Sequence, residues 1–516
     1  MTKETDPPAI QAAVVLGRHS LAYTSGQGIA LGVAIANAVL LAGLLTPSSF
    51  GVYGLALAGA SFVTVFLDLP FLQGTLIRAF GQAEDEDGGE REDEGDSRKP
   101  SRPTVESRIS FGTGLVAIAI VGAAIVSVVV IAATLASAVL GLSESIALVV
   151  SLAACSGALG ALWRPLLGMF RARRRPRAHG LLTILRALAV AGGAIAGTLL
   201  GSRAPEAAVA GATLGGFVST GVAVALASTN IAICLDQGEL RRIMRRSMRL
   251  APVTGGVWTI QNLDLYVVAA LTSPAQVGVY RLASRLGSIT SYTTSAVMSA
   301  WGPLQRGSEF NAAHETHGRP AMRSSFAFYF LMFAIFSALV GTLVAQQLVA
   351  LVPQSYSGAA SLAALLALAF AAQGVLTALY RASTFRRRFR RYRRIVIGAA
   401  IAFPPLCAGL VIAFGPEGAP LATIAVLAVA TIVIVQLGIR DQTPLTIPWG
   451  RVALAAAGAV LIYTVTQSLP TSGVGGVMVL ILASLGFAGV VAILVPIEHR
   501  RVLLAVTRAS VRSRGA

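Results

Sequence analysis

Long apolar runs separated by short polar segments dominate this chain of 516 residues. A helix needs about 20 apolar residues to span the hydrocarbon of a bilayer, and the pattern predicts about fourteen such spans. Their approximate limits are 20–44, 51–77, 110–139, 146–168, 179–200, 207–229, 250–271, 277–301, 324–351, 359–382, 395–414, 420–438, 452–468 and 476–496. Runs of this length exclude a membrane β-barrel, because its strands alternate apolar and polar residues over about ten positions.

The segments between the spans differ sharply in charge. Arginine clusters lie at 171–177, 241–249, 381–394 and 500–514, every one of them on the same side if the spans alternate in direction. The short loops on the other side hold a single arginine, Arg203. Positive loops face the cytoplasm. The pattern therefore predicts a multi-pass protein of the cytoplasmic membrane with both termini in the cytoplasm.

A short motif occurs twice and indicates an internal repeat. Residues 51–56 read Gly-Val-Tyr-Gly-Leu-Ala, and residues 278–283, 227 positions later, read Gly-Val-Tyr-Arg-Leu-Ala. Each copy follows an outer turn and begins an inward-running span. Two six-helix halves of equal orientation would be related by an axis along the membrane normal, an arrangement found in transporters whose substrate path lies between the halves.

The predicted architecture is therefore all-α, with two pseudo-symmetric six-helix lobes and two extra C-terminal helices. The expected divisions are a cytoplasmic N-terminus at 1–19, an N-lobe at 20–229, a basic inter-lobe linker at 230–249, a C-lobe at 250–438, the two extra spans at 452–496 and a basic cytoplasmic tail at 497–516. Within the N-lobe, 80–108 forms a cytoplasmic linker, and nine acidic residues between 84 and 96 make it typical of a disordered, solvated spacer.

Composition agrees with a membrane protein. Hydrophobic residues make up 55% of the chain and charged residues 12%, whereas soluble domains carry about 25% charged residues. The net charge of +18 does not indicate nucleic-acid binding, because the basic residues are topology signals and contacts for anionic lipid. Cys155, Cys234 and Cys407 show neither metal-ligand nor disulfide spacing. We expect no metal and no cofactor.

At the repeated motif the chain resembles a known family. Residues 46–56 resemble the turn after the first helix in polysaccharide flippases, the oligosaccharide-lipid exporters of the superfamily that includes multidrug/ion antiporters and lipid II flippases. Asp264, residues 277–280, Ala283 and Pro303 fall where the second half of that family has similar residues. The resemblance implies a two-lobed, V-shaped bundle that works by alternating access.

Three charged residues fall inside adjacent spans near the outer face. At about 1.5 Å per residue, Asp264, Arg281 and Arg285 lie roughly 10, 6 and 12 Å deep, and the two arginines share one helix face. One interpretation is a cationic patch that holds the pyrophosphate of a lipid-linked sugar, with Asp264 positioning an arginine or taking a coupling ion. The other is a buried ion pair that locks spans seven and eight. One carboxylate cannot neutralise two arginines, which favours a cavity.

Three further charges lie within the first half. Arg186, in span five, is a second candidate for the cationic cavity. Arg164, beside Trp163 in span four, is expected to extend to the membrane interface, and it is a further candidate for the cavity. Asp68, in span two, is either an ion site or the partner of an arginine. A net positive interior suits an anionic substrate, whereas exporters of cationic drugs need carboxylates that face the cavity.

The sequence thus favours a transporter that flips a polyprenyl-pyrophosphate-linked oligosaccharide for cell-surface polysaccharide synthesis, driven by an ion gradient because no nucleotide motif is present. A lipid II flippase and a multidrug/ion antiporter are the alternatives in the same class. A membrane-embedded polymerase or glycosyltransferase would need a large outer loop or aqueous domain, so we expect no enzyme. A scaffold subunit is a third class. Expected partners are the lipid-linked substrate, anionic lipids and other polysaccharide-export proteins, with the chain itself a monomer.

Overall fold

The computed structural model describes residues 8–80, 105–141, 143–173, 175–228, 231–304, 319–382, 389–440, 447–469 and 473–494. Within these ranges the chain forms fourteen α-helices: α1 Pro8–Leu44, α2 Pro47–Phe80, α3 Val105–Leu140, α4 Glu144–Ala172, α5 Pro176–Leu200, α6 Pro205–Ala227, α7 Gln237–Leu271, α8 Pro274–Leu304, α9 Arg319–Val349, α10 Ala359–Ala382, α11 Phe389–Phe414, α12 Gly418–Arg440, α13 Trp449–Gln467 and α14 Gly473–Leu494. The predicted all-α architecture is confirmed. The acidic segment 84–96 and the basic tail 497–516 lie outside the described residues.

Ten helical stretches of the described chain are long and apolar enough to cross a membrane, one of them running through both α11 and α12. The described part of α14, Gly475–Val491, is apolar but shorter. Helices α7 and α8 have the length but not the apolarity of a spanning helix. This difference has a structural reason, because both helices place polar and charged side chains on the wall of an internal cavity.

The basic segment expected to link the halves is largely helical. Helix α7 begins at Gln237, where the Asp236 side chain accepts a hydrogen bond from the Glu239 backbone N–H at 2.9 Å. A carboxylate at this position satisfies one of the free N–H groups of the first turn. The residues from 237 to 249 thus extend the seventh span as one continuous helix.

Helices α2 and α8 meet at their N-terminal ends, and the two copies of the repeated motif form this contact. A Cβ atom on Gly51 would collide with the carbonyl oxygen of Pro274, and one on Gly278 with that of Pro47. This reciprocity is what a pseudo-two-fold axis between the halves requires. We call this end of the bundle the Pro47 end and the opposite end, where α2 finishes, the Arg78 end.

Side-chain contacts strengthen the junction at the Pro47 end. Tyr356 follows α9 in the chain and is fully buried. Its hydroxyl donates a hydrogen bond to the Leu45 carbonyl at 3.1 Å. The rings of Phe50 and Tyr356 meet edge to face, with centroids 6.0 Å apart. These contacts tie the first two helices to the second half.

At the Arg78 end, four side chains from α2, α3 and α7 form what we call the Glu239 cluster. Arg78 donates two hydrogen bonds to the Glu239 carboxylate, at 2.8 and 2.9 Å, and Ser110 donates a third at 2.7 Å. Arg242 adds a fourth at 3.3 Å. The Arg78 guanidinium thereby lowers the pKa of Glu239, whose side chain is only 6% exposed. The cluster fastens α7 to the first half.

The last two helices pack on the outside of the second half. Phe487 of α14 stacks on Phe336 of α9 with ring centroids 5.7 Å apart. Gln346 of α9 donates a hydrogen bond to the Tyr463 hydroxyl of α13 at 3.2 Å. Helices α13 and α14 therefore attach through α9.

Candidate functional site

A cavity of about 560 Å³ lies between the two halves of the bundle. Its wall is formed by α2, α4, α5 and α6 of the first half and by α7, α8 and α10 of the second. This volume lies within the range of small-molecule sites, about 300–1,000 Å³. The position between two repeats is where transporters of this architecture bind their substrates.

All four arginines selected from the sequence line this one cavity. Arg164 and Arg186 enter from the first half, and Arg281 and Arg285 from the second. Asp264 also reaches the wall. Asp68 is not on the wall, but it contacts Arg164 from behind. The structure therefore brings the six predicted charges into one region and leaves a surplus of positive charge on the cavity surface.

Arg164 and Asp68 form an ion pair. Nη1 of Arg164 donates to Oδ2 of Asp68 at 2.5 Å. The Asp68 side chain is 2% exposed, whereas that of Arg164 is 47% exposed and faces the cavity. Of the two interpretations of Asp68, the structure thus shows an arginine partner. The expected extension of Arg164 to the membrane interface is not seen, because the buried carboxylate holds its guanidinium at the cavity wall.

Arg186 is held by an aromatic ring and a hydroxyl. Its guanidinium carbon lies 4.8 Å from the centre of a Trp163 ring, and its Nη1 donates to Thr220 Oγ1 at 3.1 Å. A cation over an indole face is attracted by the ring quadrupole without losing its charge. Arg186 therefore keeps a full positive charge at the cavity, and Trp163 beside it was not assigned a role from the sequence.

Asp264 has different partners from those expected. Its carboxylate accepts hydrogen bonds from the Tyr280 hydroxyl at 2.5 Å and from the Leu265 backbone N–H at 2.8 Å. Among the described residues it forms no ion pair with Arg281 or Arg285. The three charges have similar depths, but the carboxylate turns toward Tyr280 on α8 and is buried there.

Arg281 and Arg285 keep their guanidinium groups free of direct partners among the described residues. Neither guanidinium has a hydrogen bond or an ion pair with another described residue. The stem of Arg281 lies across α2, where a Cβ atom on Gly54 would come within 2.6 Å of its Cγ. Two neighbouring cations that form no ion pair with a described residue, open to a polar cavity, form the strongest anion-binding feature of the wall.

Polar side chains cover much of the remaining wall. Gln261, Asn262 and Gln373 supply amides, and Ser61 and Ser288 supply hydroxyls. Within its own helix, Asn262 donates a hydrogen bond to the Trp258 carbonyl at 3.1 Å. Amide and hydroxyl groups with free hydrogen-bonding capacity suit the hydroxyl groups of a sugar.

The repeat spacing could have identified some of the missed residues. The offset of 227 positions relates Ser61 to Ser288, both of which line the cavity. It also relates Asn37 to Asp264, and Tyr53 to the Tyr280 that bonds Asp264. Extending the repeat beyond its glycine-rich motif would have singled out Ser61 and Ser288.

A metal site is not seen in this region. Among the described residues, no group of three or more histidine, cysteine, aspartate or glutamate side chains is close enough to hold a metal ion.

Comparison with known families gives one match. A family model described as polysaccharide biosynthesis protein matches residues 16–305, which is more than half of the chain. This region runs from α1 through α8 and includes all six charged residues of the site. No curated protein sequence matches the chain.

Several solved structures are similar in fold to this chain. A lipid II flippase MurJ in an inward closed conformation superposes with a TM-score of 0.64 at 12% identity, covering 93% of this chain and 99% of that one. A MATE protein in complex with MaL6 gives a TM-score of 0.53 at 12% identity, with 84% and 96% covered. A mutant of the Vibrio cholerae MATE transporter VcmN gives 0.50 at 13% identity, with 84% and 99% covered. The chain therefore shares their fold.

Proposed function

We propose, from the premise that this chain belongs to the polysaccharide biosynthesis protein family, that it flips a polyprenyl-pyrophosphate-linked oligosaccharide across the cytoplasmic membrane. The observation that carries the proposal is the convergence of four arginines on one cavity between the halves. A pyrophosphate diester brings two negative charges. Guanidinium groups bind phosphate oxygens through paired N–H donors, and few other side chains match that geometry.

The charge balance of the cavity favours this class of substrate over a cationic drug. Asp68 compensates Arg164, which leaves Arg186, Arg281 and Arg285 against Asp264. If Asp264 is ionised, the surplus of two positive charges equals the charge of a pyrophosphate diester. The sugar attached to it would then meet the amides and serines of the same wall.

The path follows from the position of the cavity. A volume of about 560 Å³ holds a pyrophosphate and the first sugars, while the polyprenyl tail stays in the bilayer. Alternating access would open the two ends of the bundle in turn, with the Gly51–Gly278 contact closing the Pro47 end. The two lobes, 20–229 and 250–438, would rock about that contact.

The distribution of basic residues supports an orientation. Arg171, Arg173, Arg175 and Arg177 lie at the Arg78 end, together with the basic first turns of α7. We place this end in the cytoplasm, where its arginines contact anionic lipids. Both termini would then be cytoplasmic, and the chain would work as a monomer beside other polysaccharide-export proteins.

Transport by purified protein tests the proposal. Vesicles would contain the protein and a short-chain polyprenyl-pyrophosphoryl disaccharide with a fluorescent label on the sugar. A reductant that does not cross the membrane bleaches only the outer leaflet, so flipping exposes the protected half of the label. We expect unmodified protein to expose it, and Arg281→Ala and Arg285→Ala each to slow exposure about tenfold or more, because each loses a charge-assisted contact.

A matched variant controls for loss of charge. Arg246 is exposed on α7 away from the cavity, so Arg246→Ala removes one positive charge without changing the wall. It should flip the labelled lipid at the normal rate. Equal rates for Arg246→Ala, Arg281→Ala and Arg285→Ala would overturn the proposal, as would the failure of unmodified protein to expose the label.

A further inference from the structure

Arg164 differs from the other three arginines of the cavity in its counter-charge. Among the described residues, it is the only one of the four that pairs with a carboxylate. The pair joins a deeply buried anion to a half-exposed cation, with side-chain exposures of 2% for Asp68 and 47% for Arg164. The arginine can therefore reach a ligand in the cavity, whereas the aspartate cannot.

Asp68 depends almost entirely on this one contact. Its second oxygen, Oδ1, is buried and has no hydrogen-bond partner. Beside Asp68, α3 packs through Gly122 against Leu67, and α7 packs through Gly255 against Leu69. Neither helix carries a titratable side chain between residues 109 and 139 or between 250 and 263.

The other charged groups near the pair act on Arg164 rather than on Asp68. Arg186 of α5 lies close enough to Arg164 for the two cations to repel each other. On α4 itself, no other titratable side chain except Cys155 lies between Glu144 at the Pro47 end and Arg171 at the Arg78 end. Among the described residues, Arg164 is the cation that forms an ion pair with Asp68.

A phosphate in the cavity would compete with Asp68 for Arg164. The guanidinium has five N–H donors, and only Nη1 is engaged with the carboxylate. When the side chain turns toward a phosphate, its N–H···Oδ2 bond breaks and N–H···O–P bonds form. A buried carboxylate left without a cation is strongly unfavourable, and the carboxyl becomes stable there by binding a proton.

We propose that Asp68 is a proton-binding site that is loaded when a pyrophosphate diester draws Arg164 into the cavity. A hydronium ion or a protonated buffer molecule supplies the proton, which forms an O–H bond on the Asp68 carboxylate, so one positive charge enters with each doubly charged anion. Ligand binding and proton binding then favour each other, as linkage requires. This inference rests on the proposed function because it assumes an anionic ligand in this cavity, and it names the proton as the coupling ion.

Calorimetry on the full-length protein in lipid nanodiscs tests this coupling. The probe is geranyl-pyrophosphoryl-N-acetylglucosamine, a soluble diester whose phosphate charges do not titrate near neutral pH. Binding heats in two buffers of different ionisation enthalpy, at one pH, give the number of protons taken up per ligand. We expect uptake of about one proton by unmodified protein and none by Asp68→Asn. Arg164→Gln should also show none, because its Asp68 already holds a proton.

Glu106→Gln is the matched control, because it removes a carboxyl that is 79% exposed and lies outside the cavity, and it should leave the uptake unchanged. An infrared difference spectrum of unmodified protein gives an independent measurement that needs no variant at Asp68. Adding the ligand should produce the C=O stretch of a protonated carboxyl, and Glu106→Gln should retain it.

The outcomes separate this inference from the proposed function. Saturable binding that Arg281→Ala weakens, but without proton uptake or a carboxyl band, would overturn the inference and leave the proposed function standing. Uptake that persists in Asp68→Asn would also overturn it. Failure of the unmodified protein to bind the diester would overturn the proposed function and this inference with it.

Discussion

The side chain of Arg281 lies across Gly54, the residue that occupies the equivalent position in the first copy of the repeat. A Cβ atom on Gly54 would stand 2.6 Å from Cγ of Arg281 and 3.1 Å from its Cβ. These are atoms of the arginine stem, so the side chain could not avoid the clash by moving its guanidinium alone. The repeat is therefore asymmetric where it meets the cavity: glycine in one half makes room for arginine in the other.

Gly54→Ala should impair flipping without touching a charged group. The added methyl group forces the Arg281 stem away from α2 and displaces its guanidinium from the phosphate. We expect a loss approaching that of Arg281→Ala in the vesicle assay. Gly59→Ala is the control on the same helix, because a Cβ there meets Ala153 at 3.8 Å, an ordinary contact. Equal activity of the two variants would contradict the prediction.

Tyr280→Phe should destabilise the second half. The substitution removes the 2.5 Å hydrogen bond to Asp264 and leaves a buried carboxylate oxygen without its donor. Hydrogen bonds to charged groups contribute about 1.5–3 kcal/mol. We expect a lower midpoint of thermal unfolding in detergent. Tyr292→Phe, at an exposed position of the same helix, should leave the midpoint unchanged, and a similar fall in both would argue against a specific role for the bond.

Most of the fold could be predicted from the sequence because lipid imposes a simple length rule on apolar helices. The convergence of Arg186 and Arg281 could also be predicted, because a charge inside the membrane needs a wet or polar surrounding. The residues with which these charged side chains form hydrogen bonds and ion pairs could not be predicted. Helical rise gives depth but not the direction of a side chain, so Asp264 was assigned to arginines although it turns toward Tyr280. Arg164 and Asp68 are 96 positions apart in the chain, and only the packing of their helices brings them together.

The Glu239 cluster is a further feature that the sequence could not predict. Its segment resembled a linker because it is rich in charge, yet the charges serve tertiary contacts. Arg78 and Ser110 come from helices far away in the chain, and both donate to the Glu239 carboxylate. No local pattern of apolar residues indicates such a cluster.

Glu239→Gln should lower stability in a pH-dependent manner. The pKa of Glu239 is lowered, chiefly by the hydrogen bonds from Arg78. The ionised carboxylate therefore stabilises the fold fully above its unfolded pKa of about 4.3, and this contribution is lost as pH falls through the lower folded value. At pH 7 we expect the free energy of unfolding of the variant to be about 2 kcal/mol lower. The variant should therefore unfold at a lower temperature. The difference from unmodified protein should shrink on acidification.

Glu106→Gln provides the comparison for the cluster. Glu106 also lies near Arg78, at 3.6 Å, but its side chain is 79% exposed. Exposed ion pairs contribute little, so its replacement should leave the unfolding midpoint almost unchanged at both pH values. If the difference in stability between Glu239→Gln and unmodified protein stayed constant from neutral to strongly acidic pH, the loss of stability would not come from the ionised carboxylate.

Gly278→Ala should open the Pro47 end. The methyl group would collide with the Pro47 carbonyl oxygen, so α2 and α8 could no longer meet through their motif glycines. The contact is formed by backbone atoms on both helices, so no flexible side chain can move aside. A bundle that alternates between two states would then lose the state that is closed at this end. Ser49→Cys, near this contact, reports the change through its labelling rate with a maleimide that does not cross membranes. We expect faster labelling in Gly278→Ala, and Gly43→Ala, where a Cβ meets nothing within 4 Å, should label at the unmodified rate. Unchanged labelling in Gly278→Ala would mean that the glycine contact does not close the bundle.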